Sequence, residues 1–507
     1  MQDASSSAPS LPPGPRLPRA VQSVIWYRRA QWLMGQCRAR FGDMFTLKIA
    51  NEGDWVLTAD PDTIKQVFTG DPRLLHAGEA NRILLPVLGP DSVLLLDDAP
   101  HLRQRKLMLP AFHGERMQRY GALMADVAAS EIERWPIGEP YPLRPRMQAM
   151  TLEIILRAVF GVGEGPRMEE LRRELRRLLD VVTDPLRGVA LLALGPERIT
   201  RVPTFRRELE RINGPIYAEI ADRRTAADLG ERDDIMSLLL QATHEDGSPM
   251  SDSELRDELV TLLVAGHETT ANALAWAVER LCRHPERMDR LTEEVRAGES
   301  TYLQATIQET LRLRPVISIV LRRLQEPMEF GGRLLPAGAS IVPSIHLVHR
   351  RPDIYPEPNE FRPERFIEAE GGRAGGRGSN SYTWIPFGGG IHRCLGAAFA
   401  QFEMEVVLRE LVLRRTLAPS RPESERVYRR AITETPRRDA EVIIGRCPVI
   451  AAGASPDTLR AAASAPAESR SGGGDRSGGG DGGEASSGEI DVKIKTEVAA
   501  RPEATPA

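Results

Sequence analysis

One cysteine lies in a glycine-rich segment, residues 387–396, directly ahead of a predicted helix that begins at Ala397. A thiolate at the N-terminus of a helix is stabilised by backbone N–H groups and by the helix dipole. Glycines remove side-chain bulk, so a large flat ligand can lie against this backbone. The segment therefore predicts that Cys394 is presented to such a ligand, and this constrains the fold more than any other feature.

Three other interpretations of Cys394 are weaker. A buried structural thiol is the usual role of a single cysteine. A zinc site shared with His392 would need a further Cys or His pair at ligand spacing, and the sequence has none. A phosphate-binding loop would need Gly-Lys-Ser or Gly-Lys-Thr after the glycines, which is also missing.

The strongest predicted helix covers residues 251–281. Ser251 and Glu254 have the spacing of a capping box at its start. The His284-Pro285 pair ends it, because the residue before a proline is disfavoured in the α conformation. About 30 residues give a helix of roughly 45 Å, which is long enough to cross a whole domain.

Residues 265–270 of this helix, Ala-Gly-His-Glu-Thr-Thr, contain a mid-helix threonine. The Thr269 hydroxyl can bond back to the carbonyl of Ala265, which competes with the helix ladder and can bend the helix. An isolated Glu-Thr-Thr is more often a solvent-facing polar cluster, and that alternative favours no chemistry. A zinc-protease motif is excluded because Ala271 occupies the position of the second histidine.

Most of residues 100–320 shows the apolar periodicity of helices, and short strands are predicted at 44–49, 55–58, 318–324 and 340–343. The predicted fold class is therefore mainly α with small peripheral β-sheets. Hydrophobic residues make up 41% of the chain and charged residues 27%, as in an ordinary globular protein. The net charge of -4 gives no case for bulk attraction to nucleic acid or membrane.

Four motifs, in the expected chain order, resemble those of the cytochrome P-450 family. Residues 387–396 match the family's haem-ligand loop, Phe-x-x-Gly-x-x-x-Cys-x-Gly, and residues 265–270 match its oxygen-activation pattern. Glu309 and Arg312, with Arg365 of a Pro-x-Arg-Phe signature, match a structural network of the family. His101 and Arg105 match its His/Trp-x-x-x-Arg pattern. The resemblance covers roughly residues 11–450 and implies the cytochrome P-450 fold.

The resemblance implies a role for each matching residue. Haem b is the expected cofactor, with Cys394 as its axial ligand. Thr269 is expected to donate to bound oxygen and Glu268 to feed protons from solvent, beside a groove at Ala265. The residues expected to hold the haem propionates are His101, Arg105, Arg322 and His392, with Arg322 preferred over Arg323.

Three segments are predicted along the chain. Residues 1–10 are expected to be disordered, residues 11–450 to form the haem domain, and residues 451–507 to be a disordered tail rich in Gly, Ser, Asp and Ala. The tail is too short and polar for a flavin domain, so no fused reductase is expected. Four scattered cysteines, no signal-peptide pattern and no apolar run of membrane-spanning length predict a cytoplasmic protein.

By the same resemblance, the predicted function is a monooxygenase that inserts one oxygen atom from O2 into a lipophilic small molecule such as a fatty acid, terpenoid or macrocyclic metabolite. Electrons are expected from a separate ferredoxin or flavodoxin with its reductase, docking near Arg393. No nucleic acid and no membrane span is expected. The pocket is predicted to draw on residues 181–194 and on Ile83, Leu84, Leu85, Val87, Leu88, Thr261, Ala265, Val316, Ile317, Ile319 and Val320, each of which could equally be core.

Three rival functions remain open on the sequence. A peroxide-driven peroxygenase or a haem-thiolate isomerase is the nearest, although relatives of those kinds often lose the acid–threonine pair. A non-catalytic haem sensor would need an effector module or a second ligand. The tail could also serve as an interaction segment.

Overall fold

The structure is a computed structural model that describes residues 8–112, 114, 116–161, 165–183, 195–367 and 382–447. These residues belong to one compact unit, Met1–Ser464. The predicted tail at 451–507, the first seven residues and pocket segment 184–194 lie outside the described part. The helices are α1 (Arg19–Phe41), α2 (Pro61–Thr69), α3 (Leu85–Leu88), α4 (Asp98–Met108), α5 (Arg116–Glu133), α6 (Arg144–Phe160), α7 (Pro166–Thr183), α8 (Pro196–Ile199), α9 (Pro203–Arg224), α10 (Ile235–Gln241), α11 (Asp252–Cys282), α12 (Pro285–Arg296), α13 (Thr301–Leu313), α14 (Ile345–Val348) and α15 (Ala397–Arg414).

The strands are short and lie in small sheets. They are β1 (Met44–Ile49), β2 (Gly53–Thr58), β3 (Leu75–His76), β4 (Pro140–Tyr141), β5 (Arg322–Leu324), β6 (Met328–Phe330), β7 (Arg333–Leu335), β8 (Ser340–Pro343), β9 (Arg415–Pro419), β10 (Val427–Arg430), β11 (Thr433–Pro436) and β12 (Val442–Arg446). The largest sheet has the order β1-β2-β8-β5-β3, and the others pair β6 with β7, β10 with β11, and β4-β12-β9. The mainly helical fold class predicted from the sequence is confirmed.

The long helix α11 is the centre of the main core. The Ser251 hydroxyl accepts from the Glu254 N–H, and the Glu254 carboxylate accepts from the Ser251 N–H, so the predicted capping box is present. The helix continues unbroken from Asp252 to Cys282, through the predicted threonine motif. It packs against α6, α9, α13 and α15, and its Leu255, Leu259 and Leu274 are fully buried. Burying a leucine side chain contributes roughly 2–3 kcal/mol, so this packing, more than helix propensity, holds α11 in place.

The two strands predicted at 44–49 and 55–58 are present and pair as a hairpin. β1 and β2 are antiparallel, with Leu47 opposite Trp55, and β2 continues in parallel to β8. The sheet and α1 share a second core that includes Trp26, Leu47 and Ile319. Of the residues 318–324 predicted as a strand, only Arg322–Leu324 are one. The Val320 N–H still donates to Pro343 at the end of β8, but the Ser318 carbonyl accepts from His346 of α14, so regular pairing does not extend to these residues.

Candidate functional site

The cysteine segment forms a tight loop ahead of α15. The Gly388 N–H donates to the Ile385 carbonyl, and the Cys394 N–H donates to the Phe387 carbonyl, each at 3.0 Å. Gly388 and Gly390 have φ values of +67° and +68°, a region that L-residues rarely adopt. The loop therefore closes on itself before the helix starts at Ala397, as the sequence predicted.

Two of the glycines have a reason that the sequence did not show. A Cβ at Gly390 would lie 2.3 Å from the Phe68 carbonyl oxygen, and one at Gly389 would lie 2.3 Å from the Phe68 ring. These glycines let the loop pack directly against α2. Room for a flat ligand was the expected reason, but at these two positions the structure shows contact with Phe68 instead.

Replacing Gly390 with alanine is expected to destabilise the protein by at least about 1–3 kcal/mol, since it combines a strained φ with a backbone clash. The matched control is Gly396→Ala in the same loop, where φ is -84° and no neighbouring atom lies within 4 Å of the added Cβ. Urea unfolding monitored by circular dichroism measures both. Equal stability of the two variants would contradict this account of the loop.

The Cys394 side chain is solvent-accessible, although protein atoms surround it closely. A side chain can be both accessible and closely surrounded if it faces a cavity inside the protein. We therefore infer that the Cys394 sulfur faces an internal opening rather than the outer surface. Burial raises the pKa of the Cys394 thiol, while the Gly396 N–H and the guanidinium groups of Arg105 and Arg393 lower it. Burial outweighs them, so the loop alone does not favour a thiolate as the sequence suggested. A metal ion bound to the sulfur would favour the thiolate, because coordination deprotonates a thiol outright.

The four basic side chains expected to hold haem propionates lie near one another, and Arg105 is close enough to Cys394 to affect its pKa. His101 and Arg105 come from α4, Arg322 from β5 and His392 from the cysteine loop. The rings of His101 and His392 are stacked, with centroids 3.8 Å apart. Arg322 is buried, and its guanidinium donates to the carbonyls of Leu321 and Gly389 at 2.7 and 3.4 Å. Arg323, the rejected alternative, points elsewhere, to the carbonyls of Glu52 and Gly338.

Burial lowers the pKa of all four groups, and the two arginines lower those of the two histidines further. Burial, followed by Arg322, His101 and Arg105, lowers the pKa of His392 to about 2. Burial and the two arginines lower the pKa of His101 to about 4, and burial lowers the pKa of Arg322 to about 10. The buried Nδ1 of His101 has no hydrogen-bond partner among the described residues. A ligand with two carboxylates would fit this cluster, because it would supply the missing acceptors and negative charge.

Residues 265–270 of α11 include positions that are accessible, whereas the C-terminal part of the helix is buried. Ala265 is exposed and Thr269 half-buried, while residues 271–282 are all buried. The Thr269 hydroxyl donates to the Ala265 carbonyl at 2.6 Å, so the predicted back-bond is present. Gly266 packs against Ile155 of α6, where an added Cβ would be 3.2 Å from the Ile155 side chain.

The Glu268 carboxylate is buried and turned toward α6. The Gln148 side chain donates to it at 3.2 Å, and the Asn272 amide lies at 3.5 Å. The Thr151 hydroxyl also binds the carbonyl of the preceding residue, His267, at 3.0 Å. Thr269 and Glu268 are therefore adjacent, but their side chains have separate partners. Gln148 was missed in the sequence, where nothing distinguishes it from a surface glutamine.

A second missed residue is Glu403 of α15, nine positions after Cys394. It is buried and accepts a hydrogen bond from Thr270 of α11, and burial raises its pKa well above the ordinary value. Its Oε1 has no partner within the described part of the chain. This carboxyl joins the helix that follows the cysteine to the helix that carries Thr269. Nothing in the sequence distinguishes it from the neighbouring Glu405 and Glu410 of the same helix.

The predicted Glu309–Arg312–Arg365 network is assembled. Arg312 and Glu309 form two hydrogen bonds of 2.6 and 2.8 Å, and Arg365 binds the same carboxylate at 3.1 Å. Arg312 also donates to the carbonyls of His349, Pro358 and Glu360. Glu309 and Arg312 are fully buried. The network therefore fixes α13 to the segment that leads to the cysteine loop.

The pocket candidates divide into two groups. Ile83, Leu84, Leu85, Val87, Ile317 and Val320 are half-buried, as pocket-lining residues would be. Ile319 instead belongs to the core beneath α1, and Leu88 and Val316 to the main core. The Thr261 hydroxyl binds the Asp257 carbonyl at 2.6 Å and the Ser92 hydroxyl at 2.7 Å, so it holds the 89–95 segment against α11.

Within the described residues, no group of three or more His, Cys, Asp or Glu side chains could hold a metal ion. The zinc alternative for Cys394 thus has no support in this part of the chain. A single cysteine in an internal opening near a cationic cluster is suited to a different ligand, namely a metal ion held within an organic cofactor that carries carboxylates. The residues fit a haem with its iron at Cys394 and its carboxylates at the basic side chains.

The chain belongs to the cytochrome P450 family, whose sequence profile matches residues 12–436. Among its relatives is cytochrome P450 135B1 of Mycobacterium tuberculosis, which is 41% identical over 445 residues, 87% of this chain and 92% of that protein. Cytochrome P450 138 of Mycobacterium bovis is 38% identical over 459 residues, covering 88% of this chain and all of that protein (100%).

Solved structures share the fold. The retinoic acid-bound cyanobacterial CYP120A1 has a TM-score of 0.74 at 21% identity, over 87% of this chain and 100% of that chain. The haem domain of cytochrome P450DA has a TM-score of 0.72 at 22% identity, over 87% and 98%. The protein is thus an oxidoreductase of the haem-dependent monooxygenase class. Among the described residues, no helix combines the length and apolarity needed to cross a membrane.

Proposed function

We propose that this protein binds haem b and inserts one oxygen atom from O2 into a lipophilic small molecule. Its electrons come from a separate ferredoxin or flavodoxin with its reductase. The observation that carries this proposal is the open face of α11, where the Thr269 hydroxyl is bonded to the Ala265 carbonyl beside the buried Glu268. This supports the proposal because a proton-carrying hydroxyl and an acidic residue are consecutive on this helix, although the Glu268 side chain is turned toward α6.

The residues divide the work. Cys394 would hold the iron, and His101, Arg105, Arg322 and His392 would hold the two carboxylates. The haem supplies the oxygen chemistry when it is bound. Ala265 has no side chain beyond Cβ, so it leaves space beside the helix at this face.

Proton handling falls to Thr269 and Glu268. The Thr269 hydroxyl has one hydrogen, which it gives to the Ala265 carbonyl in this structure. To act as a relay, the hydroxyl must first turn away from this carbonyl, so that it can donate its hydrogen into the opening while Oγ1 accepts a replacement proton from the Glu268 side. Glu268 is its nearest acidic neighbour in sequence, and it must leave Gln148 to reach Thr269 or a connecting water.

Replacing Thr269 with alanine is expected to lower the coupling efficiency, the amount of oxidised product formed per NADPH consumed, by at least about tenfold. The reason is that the relay hydroxyl is lost. Hydrogen peroxide release should rise correspondingly. Thr269→Ser keeps a hydroxyl and should remain close to wild type. Substrate affinity, followed by the Soret shift, should stay unchanged in both. An alanine variant that couples electrons to product as well as wild type would refute the role.

The substrate class follows from the half-buried residues near the opening, which are nearly all apolar. Binding spectroscopy with fatty acids, terpenoids and macrocycles would test it, by following the Soret band. Retinoic acid should be included among the test compounds, because the solved structure of CYP120A1, which shares this fold, has it bound. A panel of polar metabolites that bound better than every lipophilic compound would overturn the assignment.

Turnover separates the proposed function from its nearest rivals. A ferredoxin and reductase with NADPH should support product formation from a compound selected by binding. Hydrogen peroxide alone supporting faster turnover than this system would favour a peroxygenase. Rearranged product without any electron donor would favour an isomerase. Failure of every condition, with haem bound, would favour a sensor. We also propose the cytoplasm as its location.

A further inference from the structure

Helix α1 combines an unusual charge with an unusual surface. Its 23 residues include five arginines and no acidic residue, in a chain whose net charge is -4. Four large apolar side chains of α1 and the residues just before it are exposed: Leu17 (44%), Val21 (42%), Val24 (57%) and Trp32 (53%). Arg29, with φ -147° and ψ 47°, bends the helix between Val24 and Trp32, and it is their exposure on both sides of the bend that assigns these side chains to the outer side.

The exposed side is not a sign of a loosely packed helix. The opposite side of α1, including Trp26, Leu33 and Met34, is buried in the core shared with β1 and β2. The Ser23 hydroxyl accepts from the Ala50 N–H at 2.9 Å, and the Gln22 side chain accepts from the Lys48 N–H at 3.0 Å. The helix is therefore held in place, and its apolar outer side is a fixed surface.

The β10–β11 hairpin packs beside α1 and carries further exposed apolar side chains. Arg429 stacks over the Trp26 ring at 4.9 Å, and the Gln31 amide donates to Glu434 at 2.5 Å, which joins the hairpin to α1. Tyr428 (46%) and Ile432 (44%) are exposed on the hairpin. Together α1, Leu17 just before it and the hairpin carry six of the nine large apolar side chains that are exposed in the described residues. The other three are Leu102, Ile137 and Tyr217.

The charge of this surface is positive. Arg19 pairs with Asp54 at 3.1 Å, and Arg38 pairs with Asp43 at 2.7 Å. Within the described part of the chain, Arg28 and Arg29 have no carboxylate within ion-pair distance, and the same holds for Arg16 and Arg40. Four arginines thus border the apolar side chains without a fixed counter-charge.

We propose that the surface formed by α1 and the β10–β11 hairpin binds to an anionic lipid bilayer, lying on it rather than crossing it. A basic helix with Trp and aliphatic residues on one side is typical of interfacial binding. Guanidinium groups attract anionic headgroups, and tryptophan is favoured at the boundary between headgroups and acyl chains. A fluid anionic surface supplies negative charge wherever the four arginines fall, which a protein partner would have to match position by position.

The hairpin also reaches the interior. The Glu434 N–H donates to the Val316 carbonyl at 2.8 Å, next to Ile317 of the candidate pocket. A lipophilic compound dissolved in the bilayer would meet the protein on this side. That consequence rests on the proposed function, whereas bilayer binding itself does not.

The test uses the full-length, haem-loaded protein with two kinds of vesicle: phosphatidylcholine alone, and phosphatidylcholine with about 30% phosphatidylglycerol. Sedimentation should show binding to the anionic vesicles and little to the neutral ones, with loss of binding as salt rises. The double variant Arg28→Gln/Arg29→Gln should bind about thirtyfold more weakly. The double variant Val24→Ser/Trp32→Ser should weaken binding by at least about tenfold.

Matched controls remove the same kinds of group elsewhere. Arg207→Gln/Arg211→Gln on α9 makes the same change in net charge, and Ile137→Ser/Tyr217→Ser removes exposed apolar side chains of similar accessibility. Both should bind vesicles like wild type. An unchanged carbon monoxide difference spectrum checks that each variant is folded. Trp32→Phe should abolish the blue shift of tryptophan fluorescence on vesicle binding.

Four outcomes would overturn the proposal. They are equal binding to both kinds of vesicle, no binding to either, equal loss in the control variants, and self-association that Val24→Ser/Trp32→Ser abolishes without any vesicle binding. The last outcome would assign the surface to contact between two copies of the chain.

Discussion

Replacing Cys394 with alanine is expected to abolish the red-shifted Soret band that ferrous thiolate-ligated haem gives with carbon monoxide, and to abolish oxygenation. The reason is specific to the geometry. Cys394 is the one exposed cysteine among the described residues, whereas Cys37, Cys282 and Cys447 are buried. Only the Cys394 sulfur faces the opening next to the four basic side chains, so no other thiol can take its place.

The matched control is Cys37→Ala, which removes a buried thiol in the core beneath α1. It should keep the band and lose only a modest amount of stability. The carbon monoxide difference spectrum of each reduced protein, normalised to haem content, gives the comparison. Haem bound through the basic cluster alone would show an unshifted Soret band. An alanine variant at 394 with an intact red-shifted band would exclude Cys394 as the ligand.

The second large effect is expected from Glu309→Gln. This carboxylate neutralises Arg312 and Arg365 and also accepts the Arg362 N–H at 2.8 Å. The amide keeps the shape but leaves two buried guanidinium groups without a counter-charge. Removing one partner of a buried ion pair costs about 3–5 kcal/mol of stability. We expect a loss of that size in urea unfolding, accompanied by weaker haem retention.

An exposed ion pair provides the control. Lys106 and Glu245 lie 2.9 Å apart, with both side chains 73% exposed. Such pairs contribute roughly 0–1 kcal/mol, so Glu245→Gln should leave the free energy of unfolding nearly unchanged. The contrast between the two glutamates is the measured quantity. If both substitutions lower the free energy of unfolding by less than about 1 kcal/mol, the Glu309 carboxylate does not stabilise the fold as a buried ion-pair partner should.

Interactions that span a few residues were predictable from the sequence. The capping box at Ser251 and the bond from Thr269 to the Ala265 carbonyl both appear at the expected positions. Each depends on helix geometry alone, because residues three or four apart are always neighbours on a helix. The preference for Arg322 over Arg323 depended on the resemblance to the family, and the structure places Arg322 beside His101 and His392.

The features that the sequence did not predict depend on contacts between segments that are distant in the chain. Nothing near Gly390 in the sequence points to Phe68, and nothing near Glu268 points to Gln148. The pKa of the Cys394 thiol is raised because protein from several elements surrounds it, which outweighs the local helix N-terminus. The separation of Glu268 from Thr269 follows in the same way, since the packing of α6 on α11 supplies the partner.

By itself, the sequence of this protein determined the mainly helical class, the long helix with its capping box and the pair of strands near the N-terminus, while its haem-binding residues stay a prediction from the family resemblance. These features follow from backbone geometry and side-chain chemistry within short stretches. Only the tertiary structure decided which faces are open, which charges are buried together and which side of α1 remains uncovered. Burial and electrostatic fields are sums over residues far apart in sequence, and packing alone brings those residues together.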